Sequence, residues 1–128
     1  MDKAPLINLA VEAKEKAYAP YSKFRVGAAL LMESGNIYTG VNIENASFGA
    51  TNCAERTATF TAVAQGERKA KMIAIASDSE DFVYPCGICR QVLSEFGDDS
   101  MIVICTNKKG EHREFTLGEL LPGAFRNF

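Results

Sequence analysis

A chain of 128 residues with 14 basic and 16 acidic side chains, a net charge of −2 and 47% hydrophobic residues is long enough to bury a core without staples. It has no charged block or low-complexity stretch that would favour disorder, and its scattered basic residues offer no footprint for a phosphate backbone. The start, MDKAPLINLA, puts an acid and a proline where a signal peptide needs an uninterrupted apolar segment, and no run approaches membrane-spanning length. The expectation is a single cytoplasmic domain over residues 1–128 with no nucleic-acid or membrane partner. In a reducing cytosol, four cysteines are better suited to metal or catalytic work than to disulfides.

Asp2 and Pro5, followed by Leu6, Ile7, Ala10, Val11, Ala13 and Ala17 at helical spacing, predict a capped first helix that ends before Pro20. Arg25 to Met32 and Ile37 to Asn42 are apolar runs joined by Glu33-Ser34-Gly35-Asn36, which reads as a hairpin. Cys53 to Ala64 is a run of helix formers closing at Gly66, and Arg68, Lys69 and Lys71 beyond it read as a solvated helix end. Met72 to Ala76 has the pattern of a short buried strand, and Ser77 to Asp81 is polar enough for a loop. A helix starts after Pro85 and runs to Gly97. Met101 to Cys105 is a buried strand, the turn Asn107-Lys108-Lys109-Gly110 leads to a strand around Phe115, and a short helix with Glu119 and Leu120 precedes Pro122. The order α-β-β-α-β-α-β-β-α predicts an α/β fold, a three-layer α-β-α sandwich around a central five-stranded mixed sheet with right-handed crossovers.

Cys53-Ala54-Glu55 and Pro85-Cys86-Gly87-Ile88-Cys89 both fall where a helix begins, the place where ligands gather in open α/β sheets. Zinc takes four ligands in a tetrahedron, and a catalytic zinc leaves one for water or substrate; Cys53, Cys86 and Cys89 would supply three. Helix N-termini favour thiolate over thiol. A lone C-x-x-C also occurs in redox proteins and in structural zinc sites, which remain open as alternatives. The redox reading leaves Cys53 and Glu55 idle, and a closed structural site would need Cys105 or His112 at unsuitable spacing. Cys105 sits in an apolar run and reads as a core thiol, and His112 is the only histidine, beside charged residues.

With Ala17-Tyr18-Ala19-Pro20-Tyr21-Ser22-Lys23-Phe24, Val41-Asn42-Ile43-Glu44-Asn45, Cys53-Ala54-Glu55-Arg56-Thr57, Pro85-Cys86-Gly87-Ile88-Cys89-Arg90-Gln91 and Leu120-Leu121-Pro122-Gly123-Ala124-Phe125 in this order, the chain resembles the small, homotetrameric, zinc-dependent cytidine deaminases. The resemblance implies a deaminase fold and one Zn²⁺ per subunit on Cys53, Cys86 and Cys89. It implies hydrolysis of cytidine, and of 2′-deoxycytidine, to the uridine product and ammonia, with Glu55 as the catalytic proton carrier. Phe24, Asn42, Glu44, Ala54 and Phe125 would contact substrate: Asn42 and Glu44 the ribose, Phe24 the pyrimidine ring, and Phe125 the site of a neighbouring subunit. Arg56 would hydrogen-bond the thiolates and offset their charge. Phe48 stands where relatives commonly have tyrosine, so a hydroxyl contact is lost there. Deamination of another aminated heterocycle, such as a nucleoside antibiotic, is the nearest alternative.

Overall fold

The structure, a computed structural model, describes residues 3–126. The elements are α1 (Ala4–Lys14), β1 (Val26–Met32), β2 (Ile37–Val41), a 3₁₀ turn (Phe48–Ala50), α2 (Ala54–Ala64), β3 (Ala70–Ser77), α3 (Gly87–Phe96), β4 (Ile102–Thr106), β5 (His112–Thr116) and α4 (Leu117–Leu120). The sheet runs β2-β1-β3-β4-β5. β1 pairs antiparallel with both β2 and β3, β3 pairs parallel with β4, and β4 pairs antiparallel with β5. β2 and β3 therefore run the same way, and α2 and α3 each cross between parallel strands, as the expected mixed sheet requires.

β1 explains the layering. Every residue of VGAALLM is buried, and because successive side chains point to opposite faces, the strand feeds two cores at once. Ala29 and Leu31 pack with Leu6 and Ala10 of α1, together with Met72, Ala74 and Ile104. Ala28, Leu30 and Met32 pack on the other face with Ala54, Ala58 and Ala62 of α2, Leu93 of α3 and Leu117 of α4. Leu30, Ile73, Ile75 and Leu93 are fully buried, each worth about 1.5–3 kcal/mol of transfer free energy.

Gly35, at φ +94°, makes the turn that lets β1 and β2 pair as the predicted hairpin. Gly40 serves the site directly. A Cβ there would lie 2.3 Å from the Ala58 nitrogen and 2.5 Å from the Ala54 carbonyl oxygen, so only glycine lets the start of α2 lie this close to β2. The small alanines on that face of α2 complete the close approach.

Several boundaries differ from the sequence expectation. Asp2 lies outside the described residues, and Lys3 stands at the α1 cap with no side-chain capping bond. α1 ends at Lys14, ahead of Ala17. β3 extends to Ser77 because that residue pairs with Val26 and is buried, so the polar loop starts one residue later than expected. Arg68 does close α2, donating from Nη1 to the Val63 carbonyl at 2.9 Å and to that of Glu67 at 2.7 Å, whereas Lys71 lies on β3 and not at a helix end, because that strand starts two residues earlier than expected, at Ala70. α4 is short but has a capping box, with Thr116 and Glu119 each bonding the other's main chain. No described helix is long and apolar enough to cross a membrane.

Candidate active site

Two helix starts meet at one point. Cys53 is the N-cap of α2 and Cys86 the N-cap of α3, both with extended backbone and neither capping its own helix through the side chain. Cys89 follows in the first turn of α3, fully buried. The three sulfurs lie within 4.8 Å of one another, with Sγ–Sγ separations of 3.4 Å for Cys86 and Cys89 and 3.9 Å for Cys53 and Cys86. Cys105 is buried in the core and His112 is exposed on β5, and neither joins the cluster. Burial first, then the Glu55 charge, pushes the Cys105 thiol up to about 11, which suits an inert core position.

This donor set fits zinc. Three soft sulfurs sit at the positive ends of two helices, and the cluster contains no fourth protein ligand among the described residues, which leaves a position for a reacting group. A hydrogen bond from the Cys89 thiol, followed by the Arg56 guanidinium, holds Cys53 down to about 5 against the opposing effect of burial. Cys89 is correspondingly pushed up, first by its hydrogen bond to Cys53 and then by burial.

Arg56 Nη2 donates to Cys53 Sγ at 3.4 Å, while its Nε is buried with no hydrogen-bond partner. A guanidinium nitrogen buried without a partner is costly unless it faces negative charge, and three thiolates on a dication leave a charge of −1 beside it. Arg56→Gln is expected to keep the fold and lower zinc affinity or turnover about 10–100-fold. Zinc titration and steady-state rates check this; parental values in both would return Arg56 to a surface role.

Glu55 is the second residue of α2 and only 4% exposed. Burial, the largest influence, raises its carboxyl to about 7, within the range where one group can both take and return a proton near neutral pH. It lines a cleft of about 260 Å³ together with Cys53, Cys86, Ala54, Phe24, Asn42 and Glu44. Ala54 is fully buried at the helix start.

Asn42 and Glu44 share a face, both buried, while Ile43 between them is exposed. Both side chains already hold backbone. Asn42 Oδ1 accepts from the Val26 N–H at 2.9 Å and Nδ2 donates to the Phe24 carbonyl at 2.7 Å, tying the Phe24 segment to β1. Glu44 Oε1 accepts from the N–H groups of Tyr21 at 2.9 Å and Ser22 at 3.0 Å, and Ser22 Oγ donates to Oε2. The Ser22 hydroxyl and then its N–H hold the Glu44 carboxyl below its ordinary value. Phe125 does not line the cleft; its carbonyl accepts from Gln91 Nε2 at 2.8 Å. Phe48 packs edge-on to Tyr21 at 5.9 Å between centroids.

The cleft also uses Ser22, Thr51, Asn52, Val83 and Tyr84, to which sequence reasoning gave no role in the site. A signal was present for three of them: Thr51 and Asn52 lead into Cys53, and Tyr84 leads into Pro85-Cys86.

Two helix N-termini that bring three thiols together, with Cys53, Cys86 and a buried carboxylate lining a cleft beside a mixed sheet, have the architecture of a zinc-site hydrolase. Residues 2–105 match the cytidine and deoxycytidylate deaminase zinc-binding region, and the chain belongs to that family. It is 56% identical over 125 residues to cytidine deaminase from Sporosarcina psychrophila, covering 98% of this chain and 92% of that protein. It is 52% identical over 125 residues to cytidine deaminase from Halalkalibacterium halodurans, covering 98% and 95%. The crystal structure of cytidine deaminase from Burkholderia pseudomallei superposes with a TM-score of 0.93 at 48% identity, covering 98% of this chain and 100% of that one.

Proposed function

We propose that this chain, as one catalytic domain over residues 1–128, hydrolyses cytidine and 2′-deoxycytidine to uridine or deoxyuridine and ammonia, within pyrimidine salvage. The observation that carries the reading is the buried Glu55 lining the same cleft as Cys53 and Cys86, in a chain that is 56% and 52% identical to two cytidine deaminases over 98% of its length. One zinc held by Cys53, Cys86 and Cys89 would supply a Lewis acid that makes hydroxide available near neutral pH. Glu55 accepts the proton from the attacking water and delivers it to the pyrimidine N3 so that C4 becomes electrophilic, then takes the proton of the hydroxyl added at C4 and passes it to the departing amine. Its burial keeps bulk water from competing for that proton. Arg56, on Cys53 Sγ, balances thiolate charge. Phe24 offers an apolar face to the ring, and Asn42 and Glu44 use their remaining hydrogen-bonding capacity on the ribose.

Among the described residues the cleft is lined by Glu44 and Glu55 but by no lysine or arginine, which favours an uncharged nucleoside over its 5′-phosphate. Cytidine should exceed cytidine 5′-monophosphate in kcat/KM by at least about 100-fold, since an unpaired like charge costs several kcal/mol. Comparable values for the two would contradict the nucleoside assignment.

The proposal extends to a cytoplasmic homotetramer with sites near subunit interfaces, Phe125 reaching a neighbouring copy, and no nucleic-acid or membrane partner. Phe48, Ile88 and Phe125 are 75%, 62% and 61% exposed in the single chain, which supports burial against further copies. Four free cysteines suit a reducing compartment.

A further inference from the structure

Among the described residues, Phe24 and Tyr84 are the aromatic side chains lining the cleft. Phe24 is tied down through its carbonyl by Asn42. Tyr84 belongs to the loop before α3 and is held from β5, an element with no other part in the site. Its ring stands edge-on to Phe115, with centroids 5.6 Å apart and planes at 66°. Its hydroxyl accepts from Arg113 Nη1 at 3.2 Å. Arg113 in turn lays its guanidinium over the Phe82 ring, 4.2 Å from the centroid. One arginine therefore grips the loop at two points, a cation–π contact at Phe82 and a hydrogen bond at Tyr84.

With the hydroxyl engaged by Arg113, Tyr84 offers the cleft the apolar body of its ring. A braced aromatic has only two side-chain torsions and little freedom left to lose when a ligand arrives, so contact area there converts into affinity. We propose that Tyr84 is a substrate-contacting wall of the cleft and that Arg113 is its positioning residue, an assignment that rests on the nucleoside reading above. The surface it meets is a flat, uncharged heterocycle or the apolar side of its sugar. Tyr84 also directly precedes Pro85 and Cys86, so the brace sets the approach to the thiol cluster as well as the width of the cleft.

The test uses the zinc-loaded full chain and Tyr84→Ala, Tyr84→Phe, Arg113→Ala and the double variant, with KM and kcat for cytidine, zinc content and melting temperature measured for each. Tyr84→Ala should raise KM about tenfold with kcat within about twofold, the signature of lost uniform binding. Tyr84→Phe keeps the ring and should stay within about threefold of the parent in KM. Arg113→Ala should raise KM by an intermediate factor. The double variant should be no worse than Tyr84→Ala, because Arg113 acts through the ring. A parental KM in zinc-loaded Tyr84→Ala, or fully additive effects in the double variant, would overturn the proposal. If Tyr84→Ala fails to hold zinc, Tyr84→Leu, which keeps bulk without a ring, is measured instead, and a parental KM there overturns it equally. A parent that does not turn over cytidine would overturn the nucleoside reading and this wall with it; an active parent with an indifferent Tyr84 overturns the wall alone.

Discussion

Glu55→Gln should retain zinc and the fold while losing about three to four orders of magnitude in kcat, the upper range for a single general acid–base group. The carboxamide has the shape of the carboxyl it replaces and suits the same buried position, since Glu55 is 4% exposed. What it cannot do is carry a proton. Glu55 would serve every proton transfer in the proposed reaction, so no second lining group compensates: the other carboxylate of the cleft, Glu44, is occupied by Tyr21 and Ser22. Metal analysis alongside single-turnover kinetics checks the outcome. Loss of zinc together with activity would make Glu55 a ligand and transfer the proton chemistry elsewhere.

Cys89→Ala should abolish stable zinc binding and destabilise the protein together. Cys89 is fully buried in the first turn of α3, and its sulfur is within 4.8 Å of both Cys53 and Cys86. Zinc bridging these sulfurs would cross-link the start of α2 to the start of α3, so metal affinity becomes folding stability. If free zinc exceeds its dissociation constant about 1,000-fold, binding adds about 4 kcal/mol, or on the order of 10 °C in melting temperature for a chain of this size. Scanning calorimetry with and without chelator provides the diagnostic. The parent in chelator should fall toward the variant, whose own melting temperature should barely respond. A variant that still gains stability from zinc would place the metal on other residues.

Much of this site was legible because its decisive residues sit at helix starts, where local sequence is most informative. Cys53 and Cys86 precede runs of helix formers, and both prove to be N-caps. The three-layer mixed sheet was legible too, from the order of apolar runs and the turn at Gly35. Less legible were contacts made across long stretches of chain. Nothing in periodicity shows that Asn42 would spend both ends of its amide on Val26 and Phe24, or that Glu44 would gather the Tyr21–Ser22 segment. Those bonds depend on the crossing of β1 and β2 with the segment after α1. Tyr84 escaped notice for the same reason, since its brace comes from Arg113 on β5, 29 residues away. Gly40, inside the apolar run from Ile37 to Asn42, proves to be the space that admits the start of α2.

The most direct measurement is ammonia release with the cytidine-to-uridine absorbance change, using purified zinc-loaded protein and Glu55→Gln as its matched control. Stoichiometric ammonia and uridine from the parent, with essentially none from the variant, is the predicted result. A folded, zinc-loaded parent that leaves cytidine unchanged would contradict the account at its centre.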